Sequence, residues 1–258
     1  MQWTANPPLS LDNYPISYCD TLAAMALRAL DPKENRRRME NGELYFAFTP
    51  DLIEARRRCR RAFEQYNSTE DMRRRTLVEL FQMIVDDETP LPSQAATPEE
   101  DEDLLADYVW CDRPIKMDYG FNVKVGKNVY INSNSTWIDT CPIIVGDRTL
   151  IGPNCSFFSG SHPTDPRVRN GTNGPEAGAP ITIGEDCWFG GNVTVLPGVT
   201  IGRGSTIGAG SVVTKNIPPF VIAAGNPARV LKAVRGMPTE DLPPGYTPPA
   251  EIPISETQ

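Results

Sequence analysis

The chain of 258 residues is long enough for one substantial hydrophobic core with a smaller appendage, and too short to suggest three independent domains. Its 33 acidic residues outnumber its 25 basic residues and give a net charge of -8, which argues against general nucleic-acid binding because phosphate backbones attract a positive field. A small-molecule ligand fits this charge better.

The cysteines and the first residues favour a cytoplasmic protein. Six cysteines are scattered without a CxxC pair or a metal-binding spacing, and we interpret them as reduced, packed thiols. An even number would also permit disulfides in an oxidising compartment. Residues 1–11 contain no apolar run behind basic residues, so no signal peptide is expected, and no stretch reaches transmembrane length. We therefore expect no membrane partner.

The first third of the chain predicts amphipathic helices. Thr49, Pro50 and Asp51 supply a hydroxyl N-cap, a proline at the first helical position and an acid in the first turn. An apolar stripe with helical spacing follows, made of Leu52, Ala55, Cys59, Ala62 and Tyr66. Ser68 and Asp71 resemble a capping box that opens a second helix. An apolar segment over residues 17–30 is compatible with a third.

Charged clusters mark the same region. Arginine forms four clusters, at residues 36–38, 56–58, 60–61 and 73–75. They are compatible with phosphate binding, but the solvated face of an amphipathic helix has the same composition, and we prefer this interpretation. An acidic, proline-containing stretch has the composition of a linker. We divide the chain into an N-terminal extension (1–32), a helical segment (33–90), an acidic linker (91–107), a solenoid domain (108–235) and a proline-rich tail (236–258).

From residue 125 onward the sequence repeats with a period of six. Six hexads run in one register from Ile183, namely IGEDCW, FGGNVT, VLPGVT, IGRGST, IGAGSV and VTKNIP. An even period lets a strand keep its alternation while every sixth residue returns to the same interior layer, as a β-solenoid requires. Glycine in second place permits tight corners, and the valine and threonine content disfavours a helical solenoid. We predict a mainly β fold, a parallel β-helix behind an N-terminal α-helical subdomain.

These repeats and the motifs around them resemble the hexapeptide-repeat acyltransferases, in particular the maltose, galactoside and nodulation O-acetyltransferase group. The resemblance covers about residues 33–234 and is carried by MENGELY, DYGFNVKVG, INSNSTWID, VGDRTLIGPN, the SHP loop and the segment from PITIGEDCW to AAGNPARV. It implies a left-handed β-helix that assembles as a homotrimer with active sites between subunits. It also implies acetyl-CoA-dependent transfer of an acetyl group to a hydroxyl of a small molecule.

The single histidine lies where the repeat breaks. The period lapses between IGPNCS and ITIGED, which predicts a loop over 157–180 that contains His162. Acyl transfer from a thioester to a hydroxyl needs a general base, and histidine is the usual supplier. The family's catalytic histidine falls in the same loop motif. We therefore predict direct transfer with His162 as the base.

The resemblance adds partners to this histidine. It assigns the oxyanion-binding backbone N–H to Gly191. Glu176 resembles a family acid near the site and is a candidate for orienting the imidazole, although a solvent-exposed loop carboxylate is an equally good interpretation. With one histidine, any Cys–His mechanism would have to use His162 as well.

Family correspondence also assigns the two substrate sites. The acceptor candidates, for which short polar residues amid an aliphatic repeat suggest an exposed edge, are Asp118, Tyr130, Asn132 and Asp139. Tyr130 is equally compatible with packing, and Asp118 stands where some relatives have serine. The acetyl-CoA candidates are Trp188, Gly191, Ala209, Thr214, Lys215, Arg229 and Lys232. Lys232 is also compatible with simple solvation, and Trp188 with packing against a neighbouring subunit.

One departure from the family bears on the acceptor. Many sugar-acetylating relatives have an aspartate soon after the Gly-Glu-Leu-Tyr segment, where this chain has Phe46, Ala47 and Phe48. The change favours a more apolar acceptor than a simple sugar. Alternatively, the two phenylalanines only hold the helical segment on the solenoid.

Three rival functions remain open at this stage. A γ-class carbonic anhydrase shares the predicted fold but needs three histidines for zinc, so we expect no metal. A non-catalytic assembly subunit is disfavoured by the histidine loop. The third rival is an N-acetyltransferase, or another acceptor chemistry on the same scaffold. Only the N-terminal segment argues against it, because the fold itself does not identify the substrate.

Overall fold

The structure is a computed structural model, and it describes residues 31–234. The helix considered for residues 17–30, Cys19 and the tail from residue 236 lie outside this range. Within residues 31–234 four helices precede the strands, namely α1 (Pro32–Glu40), α2 (Pro50–Ser68), α3 (Arg74–Val85) and α4 (Pro98–Leu104). None of the helices in the described range is long and apolar enough to cross a bilayer.

Helix α2 has the predicted start and the predicted buried stripe. It begins at Pro50 and buries Leu52, Cys59, Ala62 and Tyr66. The predicted hydroxyl cap is wrong, because the Thr49 side chain makes no cap hydrogen bond and instead lies 3.5 Å from the amide nitrogen of Asn35. Sequence analysis missed α1, although Asp31 followed by Pro32 is a capping signal, and the Asp31 carboxylate does accept from the first helical N–H groups.

The predicted capping box at Ser68 and Asp71 is also wrong. Ser68 ends α2, since its hydroxyl donates to the Glu64 carbonyl 2.8 Å away, a bond back along the helix that competes with capping. Helix α3 starts later, at Arg74. The Asp71 carboxylate accepts from the Arg73 N–H at 3.0 Å and thereby orders the short connection between the helices.

The acidic stretch is packed rather than a plain linker. It contains α4, which opens with a capping box between Thr97 and Glu100. Asp101 is buried and forms a bidentate ion pair with Arg75, with distances of 2.6 and 2.8 Å. This ion pair joins α4 to α3. The amino-acid composition could not reveal it, because the linker was predicted from the small number of apolar residues alone. The Arg74 guanidinium likewise donates to backbone carbonyl groups ahead of the first strand.

The arginine clusters thus divide into two kinds. Exposed members pair with acids on the same surface, as Arg60 does with Glu64 and Arg73 with Asp71, which agrees with the preferred interpretation of a solvated face. Partly buried members bind backbone carbonyl groups, as Arg58 does with the Tyr119 carbonyl at 2.8 Å. The second arrangement, which attaches the helices to the solenoid, was not foreseen from the sequence.

Short strands with turns between them make up the rest of the described chain. In chain order they are β1 (Trp110–Cys111), β2 (Ile115–Met117), β3 (Val123–Val125), β4 (Tyr130–Ile131), β5 (Ser135–Ile138), β6 (Ile143–Val145), β7 (Leu150–Ile151), β8 (Ser156–Phe158), β9 (Gly160–Ser161), β10 (Ala177–Gly178), β11 (Ile181–Ile183), β12 (Trp188–Phe189), β13 (Thr194–Val195), β14 (Thr200–Ile201), β15 (Thr206–Ile207), β16 (Val212–Val213), β17 (Val221–Gly225) and β18 (Ala228–Ala233). Helix α5 (Pro166–Arg169) lies between β9 and β10.

The strands form three parallel sheets, one for each face of a solenoid. The first face has the order β1-β4-β7-β12-β15-β17-β18, the second β16-β13-β8-β5-β2 and the third β14-β11-β6-β3. Each coil contributes one strand to each face in turn, and only the closing pair β17–β18 in these faces is antiparallel. The predicted β-helix with N-terminal helices is confirmed.

The core follows the repeat. Alternate residues of the strands point inward, and on the first face Ile131, Ile151, Phe189 and Ile207 stack through successive coils with no more than 1% exposure. On the second face the Trp137 and Phe157 rings stack with centroids 4.2 Å apart. The five cysteines in the described range are buried and free, as expected for packed thiols.

Candidate active site

The interruption of the repeat projects from the edge where the second face turns into the third. We call it the loop edge, and it consists of residues 118–122, 139–142, 159–180, 196–199 and 214–216 on successive coils. The loop begins later than predicted, since Phe157 is fully buried and Phe158 belongs to β8. Sequence reasoning included both because the hexad register is lost there, whereas the strand continues.

The loop leaves the solenoid through a two-stranded stem. Strands β9 and β10 pair antiparallel, with Ser161 opposite Ala177 and Gly160 opposite Gly178. A Cβ added to Gly178 would stand 2.5 Å from the Ser159 carbonyl oxygen at the base of the other limb and 2.7 Å from Cys141 Sγ on the coil below. Glycine is therefore required for this close approach, and it holds the two limbs of the loop in a defined register.

His162 follows β9 directly and is exposed to solvent. The stem register pairs residue 161 with 177, so the next position places His162 opposite Glu176. The two residues that the sequence analysis linked as base and orienting acid thus stand across from each other at the top of the stem.

Glu176 is held by a residue from the helical segment. Tyr45 and Glu176 form an antiparallel bridge, with N–H to carbonyl distances of 3.0 and 2.9 Å, and the Tyr45 hydroxyl lies 3.1 Å from Glu176 Oε2. Within residues 31–234 no hydrogen bond or ion pair joins Glu176 to His162. The carboxylate is half-buried, so it is not a freely solvated loop acid.

Two acids lie on the coils below the loop. Asp139 was expected on an exposed edge, but it is fully buried, and Oδ1 accepts the backbone N–H groups of Asp118 and Tyr119 at 3.1 and 2.8 Å. Oδ2 has no partner within the described residues. Burial raises the pKa of Asp139 to about 6, and it also raises that of the half-buried Asp118, against the pull of the Arg56 guanidinium.

Asn122 was missed by sequence analysis, although it lies within the DYGFNVKVG motif. Its buried amide nitrogen donates to the carbonyl groups of Asp139 and Thr140, at 2.8 and 2.9 Å. These bonds tie one coil to the next at the loop edge. Tyr45 was missed as well, because the MENGELY motif served only to indicate the family.

A second group of predicted residues lies elsewhere. We call the turn between the first and second faces the glycine edge, which consists of residues 132–134, 152–155, 190–193 and 208–211. Asn132, Gly191 and Ala209 lie on it, and a Cβ added to Gly190 would stand only 2.6 Å from the Ala209 nitrogen. Trp188 is nearby on the first face, with 56% of its surface exposed.

The remaining candidates are divided between the two regions. Tyr130 lies on the first face and donates its hydroxyl to Asp112 Oδ2 at 2.5 Å. Arg229 and Lys232 are on β18 at the end of the same face. Thr214 and Lys215 are exposed on the loop edge, two coils beyond the histidine loop. In one chain, therefore, four candidates lie on the loop edge, namely Asp118, Asp139, His162 and Glu176. Asn132 and Gly191 lie on the glycine edge, and Trp188 lies on the first face.

Phe46 and Phe48, which lie where many sugar-acetylating relatives have an aspartate, have different environments. Phe46 is buried with 5% exposure, as expected if it holds the helical segment on the solenoid. Phe48 is 52% exposed, and the Arg56 guanidinium carbon lies 5.3 Å from its ring centroid. No three histidine, cysteine or acidic side chains converge as a metal site anywhere in residues 31–234.

Comparisons with known proteins agree with this architecture. Residues 180–215 match the hexapeptide repeat of succinyl-transferase, and residues 38–84 match the maltose acetyltransferase hexapeptide capping motif. A putative acetyltransferase of Schizosaccharomyces pombe is 35% identical over 207 residues, which cover 76% of this chain and 90% of that protein.

Solved structures give the same result. A maltose O-acetyltransferase from Clostridium difficile superimposes with a TM-score of 0.66 and 32% identity over 78% of this chain and 97% of that one. A galactoside acetyltransferase in complex with coenzyme A superimposes with a TM-score of 0.65 and 31% identity over 80% of this chain and 92% of that one. The chain belongs to the hexapeptide-repeat acetyltransferases, in the group that includes the maltose and galactoside O-acetyltransferases.

Proposed function

We propose that this protein transfers the acetyl group of acetyl-CoA directly to a hydroxyl of a small molecule, with His162 as the general base. The observation that carries the proposal is the position of His162 across the stem from Glu176, on the same edge as the buried acid Asp139. A base on the same edge as the half-buried Asp118, whose carboxyl group can bind a hydroxyl, is the arrangement that O-acetylation needs. The coenzyme A complex of the galactoside relative supports the choice of donor.

The reaction then proceeds without a covalent enzyme intermediate. His162 accepts the proton of the acceptor hydroxyl while its oxygen attacks the thioester carbonyl carbon. The oxyanion that forms is stabilised by the Gly191 N–H, which donates to no protein group within residues 31–234. When the intermediate collapses, the carbon–sulfur bond breaks, and the thiolate of coenzyme A takes the proton back from the imidazolium.

This mechanism needs two copies of the chain. His162 lies on the loop edge and Gly191 on the glycine edge, so the loop edge of one subunit has to face the glycine edge of a neighbour. Exposed apolar residues run up the first face beside the glycine edge: Trp110, Leu150 and Trp188, each 47–56% exposed. Such a patch is typical of a protein interface. We propose a homotrimer with three intersubunit sites, in the cytoplasm.

The substrates would then lie on either side of the interface. Acceptor binding is assigned to the half-buried Asp118 of one subunit and to Asn132 and Tyr130 of its neighbour. The fully buried Asp139 supports this site from below, since it binds the backbone N–H groups of Asp118 and Tyr119. The acetyl-CoA site is assigned to residues from both edges and the last strand: Trp188, Gly191, Ala209, Thr214, Lys215, Arg229 and Lys232. The exposed ring of Phe48 supports an acceptor with an apolar portion.

Thioester-consumption assays with sugars and apolar alcohols test the proposal. His162→Ala should lower turnover by about 10²–10⁴-fold, the usual contribution of a general base. Its acetyl-CoA affinity, measured by calorimetry, should stay within about twofold because the base contacts the acceptor rather than the donor. Arg167→Ala is the control, since Arg167 is an exposed residue of the same loop whose ion pair among the described residues is with Asp165. Undiminished turnover of His162→Ala would overturn the mechanism.

A further inference from the structure

The helical segment contacts the histidine loop at one limb of its stem. The backbone groups of Tyr45 and Glu176 exchange two hydrogen bonds, at 3.0 and 2.9 Å, so Tyr45 extends the stem as a third strand position. Two further contacts fix the same junction. The Cys141 thiol lies 3.1 Å from the Met39 carbonyl, and Gly42 approaches Gly178 so closely that an added Cβ would stand 2.5 Å from its carbonyl oxygen.

The Tyr45 side chain is a fixed donor in this junction. It is fully buried, and burial raises the pKa of its phenol far above the usual range, so the group stays protonated at any pH at which the protein works. Its hydroxyl lies 3.1 Å from Glu176 Oε2. The phenol also interacts with the side chains of Thr140 and Tyr119, which hold it in place. Its bond to one carboxylate oxygen then restricts the rotation of that carboxylate.

We propose that Tyr45 is a positioning residue for the acetyl transfer, which holds the Glu176 carboxylate turned toward the His162 imidazole. The inference rests on the proposed function of His162. His162 and Glu176 are the next residues beyond the last pair of the stem, one on each limb, and Tyr45 bonds to Glu176 from the other side. Each of the three residues thus comes from a different segment of one small sheet. The N-terminal helices are thereby part of the catalytic apparatus and do more than cover the end of the solenoid.

The chemical consequence concerns the tautomer of the histidine. A carboxylate on one side of an imidazole favours the N–H on that side and leaves the other ring nitrogen free to accept a proton. Without the phenol, the Glu176 side chain regains rotational freedom, and the imidazole loses its fixed orientation. Turnover should fall, whereas acetyl-CoA binding should not change.

Tyr45→Phe tests this, with Tyr66→Phe as the matched control. Tyr66 is also a fully buried tyrosine, and its hydroxyl donates to the Cys111 carbonyl at 2.5 Å, away from the loop. We expect Tyr45→Phe to lower kcat about tenfold, which corresponds to about 1.4 kcal/mol of barrier, with KM for acetyl-CoA within twofold. Tyr66→Phe should lose thermal stability but retain kcat. Equal kcat for Tyr45→Phe and wild type, or equal kcat losses in the two variants, would refute the proposal.

A double-mutant cycle shows whether Tyr45 acts through the carboxylate. Glu176→Ala removes the acceptor of the phenol and leaves the backbone bridge in place. We expect Tyr45→Phe to have no further effect on kcat in this background, because the group through which it acts is already gone. Additive losses in the double variant would contradict a role through Glu176.

A measurement on the imidazole itself separates this inference from the proposed function. His162 is the only histidine in the chain, so its side-chain ¹⁵N signals can be assigned without ambiguity. The signals should shift toward a mixture of tautomers in Tyr45→Phe and in Glu176→Ala, but not in Tyr66→Phe. Unchanged signals in the first two variants would refute the role of Tyr45. If no acceptor is acetylated even by the wild type, the proposed function fails, and this readout still decides the inference.

Discussion

Asp139 is a buried carboxyl group that has hydrogen bonds to only one of its two oxygens within the described residues. It is 0% exposed, Oδ1 accepts two backbone N–H groups, and Oδ2 has no partner within the described residues. Because burial disfavours the charged form, the pKa of Asp139 is raised to about 6. In the unfolded chain an aspartate has a pKa of about 3.9. Asp139→Asn keeps the shape of the side chain and removes the titration.

The direction of the effect follows from proton linkage. Between pH 4 and pH 6 the native state holds a proton that the unfolded state has released, so the free energy of unfolding falls as pH rises. The gap between a pKa of about 3.9 and one of about 6 corresponds to about 3 kcal/mol, at about 1.36 kcal/mol per pH unit. The stability contributed by the protonated group is complete below pH 4 and lost above pH 6. Relative to wild type, Asp139→Asn should therefore gain about 3 kcal/mol between pH 4 and pH 7.

Urea unfolding at fixed protein concentration, repeated from pH 2 to pH 8, covers the titration of Asp139 and that of the control residue Asp165. Asp165→Asn serves as a control of opposite sign, since the Arg167 guanidinium holds the pKa of Asp165 at about 2. Stability contributed by Asp165 is present above its unfolded pKa and is lost as pH falls. Parallel pH dependences for wild type and Asp139→Asn would show that burial of this carboxyl does not govern its titration.

Two further substitutions test the packing of the solenoid. Phe157→Ala removes a fully buried ring from the aromatic stack and should cost about 3–5 kcal/mol in urea unfolding, whereas Ser156→Ala on the outer side of the same strand should change stability by less than about 0.5 kcal/mol. Gly120→Ala should cost about 2–5 kcal/mol, because φ is 80° and the new Cβ would stand 1.9 Å from the Ile84 carbonyl oxygen. Gly171→Ala should cost only about 1–2 kcal/mol, since φ is 55° but no atom lies within 4 Å. Equal losses within either pair of variants would contradict the packing argument.

Local spacing predicted the features that depend on neighbours in the chain. The hexad period indicated the solenoid, because each inward residue stacks on its counterpart in the next coil. The start of α2 at Pro50 followed from a backbone preference of proline. The predicted capping box at Ser68 was wrong because a different local hydrogen bond forms. The Ser68 hydroxyl donates to a carbonyl of its own helix instead of capping the next helix.

Other features depended on contacts between distant parts of the chain. Composition indicated a linker where Asp101 meets Arg75, since a buried ion pair leaves no trace in a count of apolar residues. The same limit applies to Asp139, because a polar residue at a repeat corner is exposed or buried according to what the next coil places over it.

The sequence by itself determined the repeat, the interior layers and the lone histidine at the break in the period, since all three are expressed in residue spacing. Only the tertiary structure decided that His162 stands across from Glu176, that Tyr45 reaches this pair from a helical segment more than a hundred residues earlier, and that Gly191 lies on another edge. Such pairings are set by strand register and by the stacking of coils, which join residues whose distance along the chain carries no information about their distance in space.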